Sequence, residues 1–255
     1  MITDPGFLIA AVVAVLIAGI SKGGLGGGGL TILSVPLMSL FVPPPQAAAI
    51  MLPVLCAMDA MGIWVYRKKW SAINMRILIP AATVGIVVGA LLFKYLNADA
   101  IRLMIGVLAL VFSLNWWLNR KRPRPPARPS ISKGGFWGSL AGFTSFVAHA
   151  GGPPLNIYLL PLRLEKEILI GTSVMFFAIV NLVKIPPYYW LGQFTAENLW
   201  TAAALLPLVP IGMWIGIWGQ RRVNEALFYN VCYAMLVLAG IKLVHDGAMP
   251  IFGIK

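Results

Sequence analysis

The chain has 255 residues, of which 59% are hydrophobic and only 11% are charged, and its net charge is +12. Soluble domains carry about 25% charged residues, so the composition excludes an ordinary soluble protein and indicates an integral membrane protein. Most of the 20 Lys and Arg residues lie in short connections between apolar segments, as in cytoplasmic loops of membrane proteins. The predicted partner of this charge is therefore the lipid bilayer, and we predict no nucleic acid.

Ten apolar segments follow one another along the chain, five on each side of a basic, proline-rich stretch. They cover 7–20, 30–42, 48–66, 77–94 and 98–118, and then 135–148, 153–162, 168–186, 199–219 and 226–245. Because its prolines prevent a continuous helix, the stretch 119–133 is predicted to be a solvated cytoplasmic linker. We predict an all-α, polytopic protein with a single membrane domain, made of a first repeat (1–118), this linker and a second repeat (134–255).

The first two segments of each half are shorter than the about 17–25 residues that a spanning helix needs. They are separated by the glycine run within 21–30 in the first half and by the Gly-Gly-Pro-Pro sequence at 151–154 in the second. Glycine costs about 1 kcal/mol and proline about 3 kcal/mol inside a helix, so both runs break it. Each pair is predicted to be a re-entrant or broken helical hairpin, with two full spans as the alternative, and three spanning helices follow it.

The two halves superpose with a constant shift of 123 residues, which brings Gly28-Gly29 onto Gly151-Gly152. The basic loops lie at different, non-equivalent positions in the two halves. The basic connection at 67–69 corresponds to 188–194, which has no basic residue, whereas Arg221-Arg222 corresponds to a stretch near 94–97. Under the positive-inside rule this exchange predicts two inverted repeats.

Two opposed hairpin tips would bring helix N-termini together, and such ends attract anions through free N–H groups and the helix dipole. Lys22 and His149 lie beside the tips, and ionisable residues at membrane depth are functional candidates. The alternatives are that the glycines only permit tight helix crossing, that Lys22 reaches the membrane surface, and that His149 has a packing role. The predicted substrate-binding residues are Ser21, Lys22, Gly26, Gly27, Gly28, Gly29, Thr31, Thr144, Ser145, His149, Gly151, Gly152 and Asn156.

Asp59 is the only acidic residue well inside a predicted spanning helix. It is a candidate for proton coupling, together with His149, and a candidate partner for Lys22 or Lys184. Lys184 lies close enough to a helix end to reach the membrane surface. No catalytic, cofactor or metal motif is present in the sequence, so we predict that the protein is not an enzyme and uses no cofactor or metal.

The glycine motifs resemble those of the TauE/SafE family of membrane proteins, the sulfite exporter group. In the first half the resemblance rests on the run from Gly24 to Pro36, and in the second on 142–145, 151–154 and 171–173. It covers essentially the whole chain. It implies a multi-pass transporter of the bacterial cytoplasmic (inner) membrane that exports sulfite or a small organosulfonate. The chain departs from the family pattern at His149-Ala150, where a more glycine-rich break is expected.

The resulting hypothesis is a small-anion transporter that works by alternating access, driven by protons because no ATP-binding motif is visible. Two alternatives stay open at this point, an anion channel of the same architecture and a membrane accessory protein that transports nothing. The sequence also leaves open whether the protein forms a homodimer.

Overall fold

The computed structural model describes residues 1–24, 29–119, 126–219 and 225–252, and every regular element in this part of the chain is a helix. Two short 3₁₀ helices, Gly29–Leu33 and Leu160–Leu162, accompany the α-helices. The α-helices are α1 (Pro5–Gly23), α2 (Ser34–Met38), α3 (Pro44–Tyr66), α4 (Ala72–Tyr95), α5 (Ala98–Asn119), α6 (Ile131–Ala148), α7 (Gly152–Leu159), α8 (Lys166–Trp190), α9 (Ala196–Leu205), α10 (Leu208–Gly219) and α11 (Glu225–Phe252).

Six helices in the described part of the chain are long and apolar enough to cross a membrane, and the pair α9 and α10, bent by 42°, could provide a seventh crossing. One of the six is α1, which has 19 residues. The prediction that the first segment is too short to span is therefore wrong. The helix begins at Pro5, where the Asp4 side chain accepts a hydrogen bond from the Phe7 N–H, and it continues to Gly23. The α-helix in the second arm of each hairpin is short. In the first hairpin it is α2, with five residues, and in the second it is α7, with eight.

The outer surface of the bundle is strongly apolar. On α4 alone, the exposed side chains include Val84, Val87, Val88 and Leu91. A broad exposed apolar surface is rare on a soluble monomer but is what a lipid-facing helix presents, since lipid tails are as apolar as leucine. Together with the spanning helices, this surface confirms the all-α, polytopic membrane fold.

Helices at equivalent positions of the two halves pack against each other in opposite directions. Asp59 of α3 contacts Asn181 of α8, whereas Gly62, further along α3, faces Val174, which comes earlier in α8. The helices α5 and α11 are antiparallel in the same way. Inverted repeats place equivalent helices antiparallel, so this packing supports the inverted insertion of the halves, which stays a prediction.

The two hairpins enter the bundle from opposite ends. The first begins beside the middle of α9, where the Ile2 N–H donates to Thr201 Oγ1 (3.0 Å). The second lies beside the start of α4, where Tyr158 Oη donates to Asn74 Oδ1 (3.0 Å). Because α3 and α8 are antiparallel, the helices that follow them, α4 and α9, start at opposite ends of the bundle. The hairpin tips therefore approach each other inside it.

The close contact between α6 and α4 depends on glycine, and we expect that a side-chain carbon added at this contact would disrupt it. A Cβ at Gly142 would overlap the backbone carbonyl of Ala82, whereas a Cβ at Gly135 on the same helix would meet no atom within 4 Å. Gly142→Ala is expected to destabilise the protein by about 1–3 kcal/mol through overpacking. The matched control Gly135→Ala should be neutral or gain up to about 1 kcal/mol of helix propensity. Unfolding in mixed detergent micelles measures both, and equal stability of the two variants would contradict this packing.

Candidate functional site

In the first hairpin, α1 ends at Gly23 and the second arm begins at Gly29. The Ser21 side-chain oxygen accepts a hydrogen bond from the Leu30 backbone N–H (3.1 Å). The end of α1 thus caps the start of the second arm and satisfies a backbone donor that the helix itself leaves free. The second arm begins at Gly29, one residue before the apolar segment 30–42 identified in the sequence.

The second hairpin turns at His149, which follows α6 and has a left-handed backbone conformation (φ 52°). This region is uncommon for residues other than glycine, although histidine enters it more often than most. The following helix α7 begins at Gly152, one residue before the predicted segment 153–162, and continues with Pro153 and Pro154. Because prolines have no N–H group, the start of α7 offers an anion fewer backbone donors than an ordinary helix N-terminus.

The two tips contact each other and converge on α8. Thr31 Oγ1 of the first hairpin donates a hydrogen bond to the backbone carbonyl of His149 in the second (3.3 Å). Phe177 of α8 lies next to both tips, because Lys22 Nζ is 5.9 Å from the centre of its ring and a Cβ on Gly151 would meet the same ring. The described residues on either side of the two breaks therefore lie together in the protein interior.

Lys184 is fully buried and is held by uncharged acceptors. Its Nζ lies 2.7 Å from His149 Nδ1, 3.1 Å from the Ser145 carbonyl oxygen and 3.2 Å from Ser145 Oγ. The other ring nitrogen, His149 Nε2, lies 2.9 Å from the Ala48 carbonyl oxygen. Since a carbonyl oxygen can only accept, this network assigns the ring proton to Nε2 and leaves Nδ1 to accept from Lys184. The three acceptors around Nζ match the three N–H donors of an ammonium group.

Asp59 forms a second buried charge group with Lys22. The Lys22 ammonium donates to Asp59 Oδ1, and the Asn181 amide donates to Oδ2. All three side chains are buried, and each oxygen of the carboxylate has a partner. The pairing of Asp59 with Lys22, one of the two partners considered for it, is therefore confirmed. This group joins α1, α3 and α8, and it lies within electrostatic range of Lys184.

One buried cluster thus contains several of the predicted site residues and two that were not among them, Asn181 and Lys184. The predicted members are Lys22, Thr31, Asp59, Ser145 and His149. The expectation that Lys184 reaches the membrane surface is wrong, because its end of α8 packs under the second hairpin, which supplies the acceptors. A signal was available in the sequence: Asn181 and Lys184 are three residues apart, which places them on one face of a helix.

The remaining predicted residues have local contacts or lie elsewhere. Thr144 donates to the Leu140 carbonyl oxygen (2.8 Å) in its own helix. Asn156 is half-buried on α7, and Gly151 and Gly152 are buried at the second turn. Three of the glycines predicted to bind substrate lie outside the described residues, so the role predicted for their backbone stays a prediction. They are Gly26, Gly27 and Gly28.

Comparison with known proteins gave one result. A family model described as "Sulfite exporter TauE/SafE" matches residues 11–243, a range that includes both helix breaks and the whole buried cluster. Comparisons with curated proteins and with solved structures gave no match.

Proposed function

Since the chain belongs to the TauE/SafE family of sulfite exporters, we propose that it exports sulfite or a small organosulfonate through the site where its two hairpin tips meet. The family makes it a multi-pass membrane transporter of a small anion and not an enzyme. The substrate, the direction of transport and residence in the bacterial inner membrane are parts of the proposal.

The observation that carries the proposed site is the environment of Lys184. A charged group inside a membrane protein is costly and usually serves a function. Asp59 compensates Lys22, but the contacts of Lys184 are a ring nitrogen, a hydroxyl and a carbonyl oxygen. A buried ammonium group without an acidic partner is suited to bind an anion that replaces one of its three acceptors, and Ser145 adds a hydroxyl group 3.2 Å from it.

We propose alternating access as the transport mechanism because the cluster is divided between the halves. Asp59 and Lys22 come from the first half, whereas Asn181, Lys184, Ser145 and His149 come from the second. A rocking motion between inverted repeats is the usual way in which such transporters expose a fixed central site. Movement of α3 against α8 would separate Asp59 from Asn181 and open a route to the site.

Asp59 is the residue that we propose for proton coupling. It is the only buried acidic side chain among the described residues, and the charged groups that face it are Lys22 and Lys184, with the thiol of Cys56 nearby. Protonation of Asp59 would release Lys22 toward the anion. His149 was a second candidate, but both of its ring nitrogens have hydrogen-bond partners, which favours a role in positioning Lys184.

Transport by purified protein in proteoliposomes tests the function directly. Radiolabelled sulfite should accumulate against its concentration gradient when a proton gradient is imposed, and a protonophore should abolish the accumulation. Equilibration without accumulation would favour an anion channel. Absence of flux for sulfite and for organosulfonates would contradict the proposal and favour an accessory role.

The inverted arrangement predicts that Lys68 and Leu191 face opposite sides of the membrane, since they lie at the C-terminal ends of the antiparallel helices α3 and α8. We expect single-cysteine variants at these positions, with Cys56 and Cys232 replaced by alanine, to react with an impermeant maleimide from opposite sides. A third cysteine at Lys69, adjacent to Lys68, is the internal control. Labelling of both positions from the same side would contradict inverted repeats.

A further inference from the structure

The buried charges at the meeting point of the hairpins determine which charge on a ligand the site can neutralise. Among the residues that the structure describes, the buried basic side chains are Lys22, Lys184 and His149, and the buried acidic one is Asp59. The hydrogen bonds of His149 are those of a neutral ring. With Lys22 and Lys184 both protonated, their two ammonium groups and the Asp59 carboxylate leave a net charge of +1.

From this balance we infer that the site accepts one net negative charge and selects a singly charged oxyanion, such as a sulfonate, over a doubly charged one of similar shape. The inference rests on the proposed function and adds the charge class of the substrate. A monoanion beside Lys184 completes the neutralisation of the cluster. A dianion leaves one negative charge buried without compensation, and uncompensated buried charge is strongly unfavourable.

The position of Asp59 explains why this carboxylate sets the selectivity. Its two carboxylate oxygens accept hydrogen bonds from Lys22 and Asn181. The charge of Lys22 is therefore already neutralised before a ligand binds. An anion that carries a second charge would have to compete with Asp59 for Lys22. Asp59 thus acts as a built-in negative charge that excludes dianions.

Binding of methanesulfonate and sulfate to the purified full chain in detergent tests the inference, because both anions carry tetrahedral sulfur–oxygen groups and differ in charge. We expect the wild-type protein to bind methanesulfonate at least about 10-fold more tightly than sulfate, as measured by isothermal titration, since 1.4 kcal/mol of uncompensated charge gives that factor. Sulfate binding as tight as methanesulfonate binding, in a protein that transports sulfite, would overturn the inference and leave the proposed function standing. Failure of the wild-type protein to bind or transport any of these anions would overturn both.

Asp59→Asn provides the second arm, because it removes one negative charge and keeps the size of the side chain and an acceptor for Asn181. The net charge of the cluster becomes +2, so we expect sulfate affinity relative to methanesulfonate to rise about 10-fold or more. The size and hydration of the two anions are the same in both experiments, so the change in their affinity ratio depends only on the charge of the cluster. An unchanged ratio would overturn the inference. If the variant is unstable without ligand, protection from thermal unfolding by sulfate, compared with methanesulfonate, gives the same readout.

Discussion

Replacement of Lys184 by methionine is expected to lower sulfite transport at least about 30-fold while the protein still folds and inserts. Loss of a buried, hydrogen-bonded charge partner costs a bound ion about 2–5 kcal/mol, and each 1.4 kcal/mol is a factor of ten in affinity. Methionine has a similar length and removes the cost of burying an ammonium group, but it leaves the acceptors of Ser145 and His149 without their donor, which costs about 1–3 kcal/mol for a buried group. Transport into proteoliposomes and the apparent Tm in detergent measure the two effects separately.

The matched control is Lys166→Met on the same helix, because Lys166 is exposed at the start of α8 and its loss should leave transport unchanged. Lys184→Arg is expected to fail as well, since a planar guanidinium cannot direct its donors at the three acceptors that surround the Lys184 ammonium. Near-normal transport by Lys184→Met would show that this lysine is structural and would remove the main support for the site.

The helix breaks could be predicted from the sequence because their causes are local. Four consecutive glycines and a Gly-Gly-Pro-Pro sequence are too costly inside a helix, so the breaks and the helix starts at Gly29 and Gly152 follow from residue type. The length of α1 was underestimated because a count of apolar residues stops at Ile20. The helix continues through Ser21, Lys22 and Gly23, since in the folded protein the first two have buried polar partners.

The cluster could be predicted only in part, because the fate of a lysine near a helix end depends on what packs over it. Lys184 could have extended to the membrane surface as well as inward, and the choice is made by Ser145 and His149, which are more than 30 residues away in sequence. The departure of His149 from the glycine-rich family pattern was visible in the sequence. The reason for this departure was not visible. The left-handed backbone of His149 places its imidazole ring between Lys184 and the Ala48 carbonyl, and only the fold brings these two groups close to it.

The ion pair between Lys22 and Asp59 should show the strongest energetic coupling in the described part of the protein. Lys22→Met leaves a buried carboxylate without its cation, and Asp59→Asn leaves a buried ammonium without its anion, so each single change is expected to destabilise the protein by about 3–5 kcal/mol. The double variant has neither charge and keeps an acceptor for Asn181. We expect its free energy of unfolding in mixed micelles to lie within about 1.5 kcal/mol of the wild-type value.

The same set of variants separates charge from structure in anion selection. The double variant retains Lys184 as its one buried charge, so the net charge of the cluster is +1, as in the wild-type protein. If charge balance sets the selectivity, the preference for methanesulfonate over sulfate should be lost in Asp59→Asn and should return in the double variant. If the preference is lost in Asp59→Asn and does not return in the double variant, anion selection depends instead on a direct contact with the side chain of residue 59.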